Sequence, residues 1–152
     1  MKRFTLCVIC VKRYILLAPK LRGMGKGKLN APGGKVEGAE TDAKTCVRES
    51  LEELGIRPIS LRKRGILKCA FVGNPKIFEI CVFSASRYEG TPQATEEMGK
   101  PEFVSIRNIP YGKMWPADKY WLPLLLSGKS FEGEFQYQDE NTLISHRIRV
   151  VN

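Results

Sequence analysis

Three glutamates, Glu49, Glu52 and Glu53, fall within five positions, directly after Arg48 and just before Gly55. On a helix at about 100° per residue they are neighbours three and four apart, on one side. Ala43, Cys46, Val47, Ser50, Leu51 and Leu54 take the other side, which is the expected core face. Arg48 stands four positions before Glu52, where the two can pair. Three carboxylates on one face repel one another. An oxygen-only cluster of this kind suits a hard divalent cation such as Mg²⁺, commonly shared with substrate phosphates. The competing reading is a solvated acidic face.

A helix must hold these groups. Thr41 or Asp42 is the expected N-cap, and Gly55 with Pro58 beyond it the stop. Ahead of the helix, Leu21 to Gly34 is rich in glycine and basic residues and ends in the pair Gly33-Gly34. Such a loop can turn backbone N–H and ammonium groups onto phosphates. Phe4 to Val11 and Tyr14 to Leu17 read as a hairpin with Lys12-Arg13 at the turn. Leu61 to Val72, broken at Gly65, and Ile77 to Ala85 read as further strands around Asn74-Pro75. Arg87 to Pro101 reads as a long polar loop carrying Glu96-Glu97, and Glu102 to Ile106 as a short strand. Asn108 to Leu126 suggests a second helix with Pro116 in its first turn, and Ser130 to Val150 a closing hairpin. The pattern predicts an α+β domain with a mixed sheet between helices.

The chain has 152 residues, 43% of them hydrophobic, which suits one domain spanning 1–152 with a full core. No apolar run reaches a membrane span, and no leader is expected, because Lys12 and Arg13 cut short the first apolar stretch. Cys7, Cys10, Cys46, Cys69 and Cys81 lie in apolar runs and read as reduced core residues. In a strand Cys7 and Cys10 would face opposite ways, so their C-x-x-C spacing does not suit zinc. The expected compartment is the cytoplasm, extending to the nucleus or mitochondrion, and the expected state is a monomer. A net charge of +9 around an acidic site attracts anions such as nucleotides. No basic run reaches five residues and no RNA-binding motif is present, so no nucleic-acid partner is indicated.

Gly34, Glu40, Arg48, Glu49, Glu52, Glu53, Gly55 and Ile56 meet the pattern G-x5-E-x7-R-E-U-x-E-E-x-G-U, with U apolar. This stretch resembles the signature of the Nudix hydrolases, which cleave nucleoside diphosphates linked to another moiety. Ser50 departs, standing where an apolar residue is expected. The segments FTLCVICV, NAPGGKV, TPQATEEM, MWPADKYWLPLLL and FEGEFQY extend the likeness over nearly the whole chain, toward the animal MutT homologues within that family. The resemblance implies an α–β–α sandwich and Mg²⁺-dependent (or Mn²⁺-dependent) hydrolysis of oxidised purine nucleoside triphosphates to monophosphate and pyrophosphate.

Carried over by position, the implied metal ligands are the Gly33 carbonyl, Glu49, Glu52, Glu53 and Glu97. Glu53 or Glu97 takes the proton of the attacking water, and Arg48 orients Glu52. Gly34, Lys20 and Lys35 stand toward the phosphates or support the local structure. The base pocket draws on Thr5, Asn30, Phe71, Phe78, Trp115, Pro116 and Asp118, with Trp121 divided between pocket and core. The family pattern has Trp-Pro-Asp-Asp where this chain has Trp115-Pro116-Ala117-Asp118, and aromatic residues where it has Met24 and Leu29. One carboxylate is therefore missing from the pair that reads the base. Two alternatives stay open: a Nudix hydrolase of methylated triphosphates, dinucleoside polyphosphates or RNA caps, and a non-catalytic nucleotide- or RNA-binding module.

Overall fold

In a computed structural model, which describes residues 1–151, alternating burial runs along strand β1 (Lys2–Val11) and organises everything else. Cys7 and Ile9 are buried on one side, and Val8 on the other. Strand β2 (Tyr14–Pro19) folds back on β1 through the expected turn, where Lys12 takes a positive φ of 57°. The basic loop is not featureless: it holds β3 (Leu29–Asn30) and β4 (Gly33–Lys35), the latter antiparallel to β1.

Beyond helix α1 (Asp42–Leu54) come β5 (Arg57–Ile59), β6 (Arg62–Phe71), β7 (Ile77–Ala85), β8 (Arg87–Glu89) and β9 (Glu102–Ser105). Helix α2 (Asp118–Leu126) and the hairpin β10 (Ser130–Asp139) and β11 (Thr142–Val151) complete the fold. The main sheet runs β11-β10-β6-β7-β1-β2-β3, with β4 beside β1 and β9 beside β2. It is mixed: β1 with β7 and β10 with β6 are parallel, whereas the hairpins are antiparallel. Each face carries a helix. Cys46 and Leu54 of α1 pack on Cys7, Ile9 and Phe83, while Trp121, Leu122 and Leu125 of α2 pack on Val8, Phe131 and Phe135. This is the α–β–α arrangement expected.

Several expectations need correction. The break at Gly65 is a register shift between Lys63 and Gly65 inside one strand. The polar loop begins with β8, which pairs with β5 in a separate two-stranded sheet. Pro116 does not open α2: the helix starts at Asp118, with Pro116 in the preceding turn. The core face of α1 is also rotated from the expected one. Thr45, Cys46, Ser50, Glu53 and Leu54 are buried, whereas Ala43 is exposed and Leu51 is 47% exposed. Gly34 in β4 leaves room for the Glu49 carboxylate and the Gly33 N–H binds that of Glu53, on a side where a polarity pattern alone places no acid. Ser50 is accommodated because its hydroxyl donates to the Cys46 carbonyl at 2.8 Å, so no polar atom is stranded. Thr41 caps α1 by accepting from the Lys44 N–H, and Gly55 ends it at a φ of +72°.

Candidate active site

The inward rotation of α1 brings Glu53 against β4. One oxygen accepts from the Gly33 N–H at 2.7 Å, and the other faces the Lys20 ammonium at 3.3 Å. Cys7 with Pro32 and Arg3 with Val36 are bonded through their backbones, so Leu6 and Gly33 form the non-hydrogen-bonded pair between them. Both main-chain polar groups of Gly33 therefore turn away from β1, and the N–H meets Glu53. At Gly34 a side chain is excluded: a Cβ would stand 2.2 Å from the Glu49 carboxyl carbon.

Arg48 ties the helix face together. Its Nε donates to Glu40 at 2.8 Å, one terminal nitrogen to Glu49 at 2.8 Å and toward Glu52 at 3.3 Å, and the other to the Lys35 carbonyl at 3.0 Å. The expected partner was Glu52; the closer ones are Glu40 and Glu49. The guanidinium holds the Glu40 carboxyl down at about 2. Burial raises the pKa of Glu49 and of Glu53.

Glu97 reaches the same place from more than forty positions away. The Thr95 hydroxyl donates to the Glu53 carbonyl at 2.8 Å and accepts from the Glu97 N–H at 3.1 Å, pinning the loop to the end of α1. The Glu97 carboxylate is bonded by Arg22, whose guanidinium lowers its pKa. Among the described residues, no three carboxylate, imidazole or thiol groups form a ready cage for a metal. Each implied ligand carboxylate lies instead beside a cation of the protein. The donor set is nonetheless oxygen-only, and the Glu49 carboxylate seated over Gly34 and the outward polar groups of Gly33 suit a hard divalent ion.

A cavity of about 590 Å³ leads from these carboxylates into the sheet face covered by α2. Thr5, Lys20, Asn30, Lys35, Phe71, Phe78, Trp115, Asp118 and Trp121 all reach its wall; Pro116 does not. Phe71 meets Phe78 edge-on at 5.7 Å and stacks on Tyr137 at 5.0 Å. Asn30 uses its side-chain oxygen on the Ala31 N–H at 3.0 Å, which takes one of the two acceptor sites of that oxygen. Trp121 serves both pocket and core: 2% exposed, it donates its indole N–H to Asp118 at 3.1 Å. Ala117 is buried in the wall and its N–H donates to the Tyr137 hydroxyl at 3.3 Å. Met24 is half exposed at the wall, and Leu29 packs against the core.

Among the described residues, two buried side-chain atoms have no partner: Thr5 Oγ1 and Asp118 Oδ2. Burial pushes the Asp118 carboxyl up to about 7. The folded state therefore keeps a proton that the unfolded chain loses near pH 4. This group's contribution to stability is complete below about pH 4 and lost as pH rises to about 7. Asp118→Asn is expected to flatten that slope, at most about 1.4 kcal/mol per pH unit. Urea unfolding of both proteins from pH 4 to 8 checks it; parallel profiles would contradict the shift.

Sequence reasoning missed three participants. Arg22 sat within the basic loop without a partner to single it out. Thr95 acts through two backbone contacts, and Tyr137 reaches the cavity only because β10 pairs with β6.

The NUDIX domain model matches residues 2–125, and the chain belongs to the Nudix family of hydrolases. Among its relatives, the oxidized purine nucleoside triphosphate hydrolase of Mus musculus is 40% identical over 149 residues, covering 98% of this chain and 95% of that one. The protein of the same name from Danio rerio is 37% identical over 147 residues, covering 97% and 94%. The crystal structure of a MutT protein from Bacillus halodurans superposes with a TM-score of 0.85 at 29% identity, covering 97% of each chain. Among the described residues, no helix is long and apolar enough to cross a membrane.

Proposed function

We propose that this chain hydrolyses oxidised purine nucleoside triphosphates to monophosphate and pyrophosphate with Mg²⁺, or Mn²⁺ in its place. The observation that carries the reading is one cavity joining a carboxylate cluster to an aromatic pocket with two orphaned buried oxygens. Phe71, Phe78 and Trp115 offer apolar faces to a purine, and Thr5 and Asp118 offer the unused polar atoms. Oxidation at C8 turns the bare N7 acceptor of guanine into an N–H donor. A carboxyl that titrates near 7 can accept from that N–H when ionised or donate to a purine carbonyl when protonated.

Glu49, Glu52, Glu53, Glu97 and the Gly33 carbonyl would hold the metal. When bound, divalent ions neutralise triphosphate charge and acidify the attacking water. Lys20, Lys35 and the backbone at Gly34 orient the phosphates, Arg48 fixes Glu49 and Glu52, and Glu53 or Glu97 accepts the water's proton. The buried methyl of Ala117 also favours alkylated purines as second substrates. We assign all of 1–152 to one domain, because Tyr137, beyond the matched region, helps line the cavity. The free cysteines suit a reducing compartment, the cytoplasm, nucleus or mitochondrion.

Glu97→Ala is expected to weaken turnover and its Mg²⁺ dependence far more than Glu96→Ala, whose side chain is 91% exposed. Rates measured across a Mg²⁺ titration check this; equal, mild effects would remove Glu97 from the site. The reaction itself is tested by incubation of 8-oxo-dGTP with Mg²⁺ and product analysis. Equal amounts of monophosphate and pyrophosphate are expected, and release of orthophosphate alone would contradict the reading.

A further inference from the structure

Two cations of the loop before β3, Lys20 and Arg22, each hold a carboxylate at the mouth of the cavity. Lys20 lies 3.3 Å from Glu53, and Arg22 Nε donates to Glu97 at 2.9 Å. All four side chains reach the cavity wall. The backbones around them are stitched together: the Leu21 N–H donates to the Glu97 carbonyl at 2.9 Å, and the Gly99 N–H to the Pro19 carbonyl at 2.9 Å. The two loops are thus fixed relative to each other, while the Arg22 and Glu97 side chains that meet between them are partly exposed, 59% and 35%. Arg48 is different, because it is anchored to Glu40 and the Lys35 carbonyl and does not reach the cavity.

We propose that Arg22 is a substrate-released latch on Glu97, occupying the carboxylate in the empty enzyme and moving to the triphosphate when the nucleotide enters. Guanidinium binds phosphate bidentately, and a triphosphate carries several negative charges against one on Glu97. The exchange therefore runs toward the nucleotide and frees Glu97 as the phosphates arrive. The site assembles for a divalent ion together with its substrate, and the free protein binds the ion weakly. Arg22 is a positioning residue in this scheme; it acts through Glu97 and the phosphates. The inference rests on the reading of Glu97 as a metal ligand.

The test is Mn²⁺ binding to nucleotide-free protein, followed by the EPR signal of unbound Mn²⁺, for wild type, Arg22→Gln, Glu97→Gln and the double variant. Arg22→Gln is expected to bind Mn²⁺ about two- to five-fold more tightly than wild type, the range for a partly exposed ion pair. The gain should vanish when Glu97→Gln is added. At saturating Mg²⁺, Arg22→Gln should raise KM for the triphosphate with little change in kcat. Unchanged or weaker Mn²⁺ binding in Arg22→Gln, with Glu97→Gln weaker than wild type, would overturn the latch and leave the metal role of Glu97 standing. If Glu97→Gln binds Mn²⁺ as wild type does, the ligand assignment falls, and the latch with it. A merely structural role for Arg22 would not tighten Mn²⁺ binding.

Discussion

Glu53→Gln is expected to lower turnover by at least about 10²-fold while leaving the fold in place. Glu53 is 3% exposed and meets both the Gly33 N–H and the Lys20 ammonium. The amide oxygen of glutamine can still accept from Gly33, so the link between α1 and β4 survives. What is lost is a charge, and with it the proposed metal ligand or proposed acceptor of the water's proton. Steady-state rates at saturating Mg²⁺, with circular dichroism as the check on folding, decide it. Near-wild-type turnover would remove Glu53 from the chemistry.

The second large effect is expected at the base. Ala117 and Asp118 lie side by side on the cavity wall, both buried, with one oxygen of Asp118 committed to Trp121 and the other unpartnered. An unpaired buried polar group costs about 1–3 kcal/mol, which is how a hydrogen-bonding site rejects the wrong base. Ala117→Asp is expected to raise kcat/KM for 8-oxo-dGTP relative to dGTP by about one to two powers of ten. Asp118→Asn should remove most of the preference that wild type shows, because the amide can no longer change between donor and acceptor at one atom. A charged group placed in the buried wall also costs stability, so the ratio of the two substrates is the readout. Unchanged ratios in both variants would mean that the base is read elsewhere.

The reach of the sequence differed from one part of the site to another, for physical reasons. The carboxylates of α1 were legible because covalent spacing along a helix decides their neighbours. So were the caps Thr41 and Gly55, whose roles depend on local backbone. The face of α1 was not, since polarity sends Glu49 and Glu53 outward, while the missing side chain of Gly34 makes room for Glu49 and the Gly33 N–H draws in Glu53. The strand at Arg57–Ile59 was hidden by Pro58 and exists only through its pairing with Arg87–Glu89. Glu97 came from family likeness, and no local pattern shows what holds it: Arg22 and Thr95 are brought there by contacts between distant loops. The pocket behaves likewise. Trp115 and Asp118 stand in one motif, whereas Tyr137 joins them through a parallel strand pair.

The most direct test of the account is kcat/KM of the purified chain, with Mg²⁺, on dGTP, dATP, 8-oxo-dGTP, 2-hydroxy-dATP and methylated purine triphosphates. The oxidised purines are expected to be hydrolysed with clear preference over dGTP and dATP, and Glu53→Gln to lower turnover of all of them by at least about 10²-fold. Equal rates on oxidised and ordinary purines would contradict the pocket. No turnover of any triphosphate would contradict the catalytic reading as a whole.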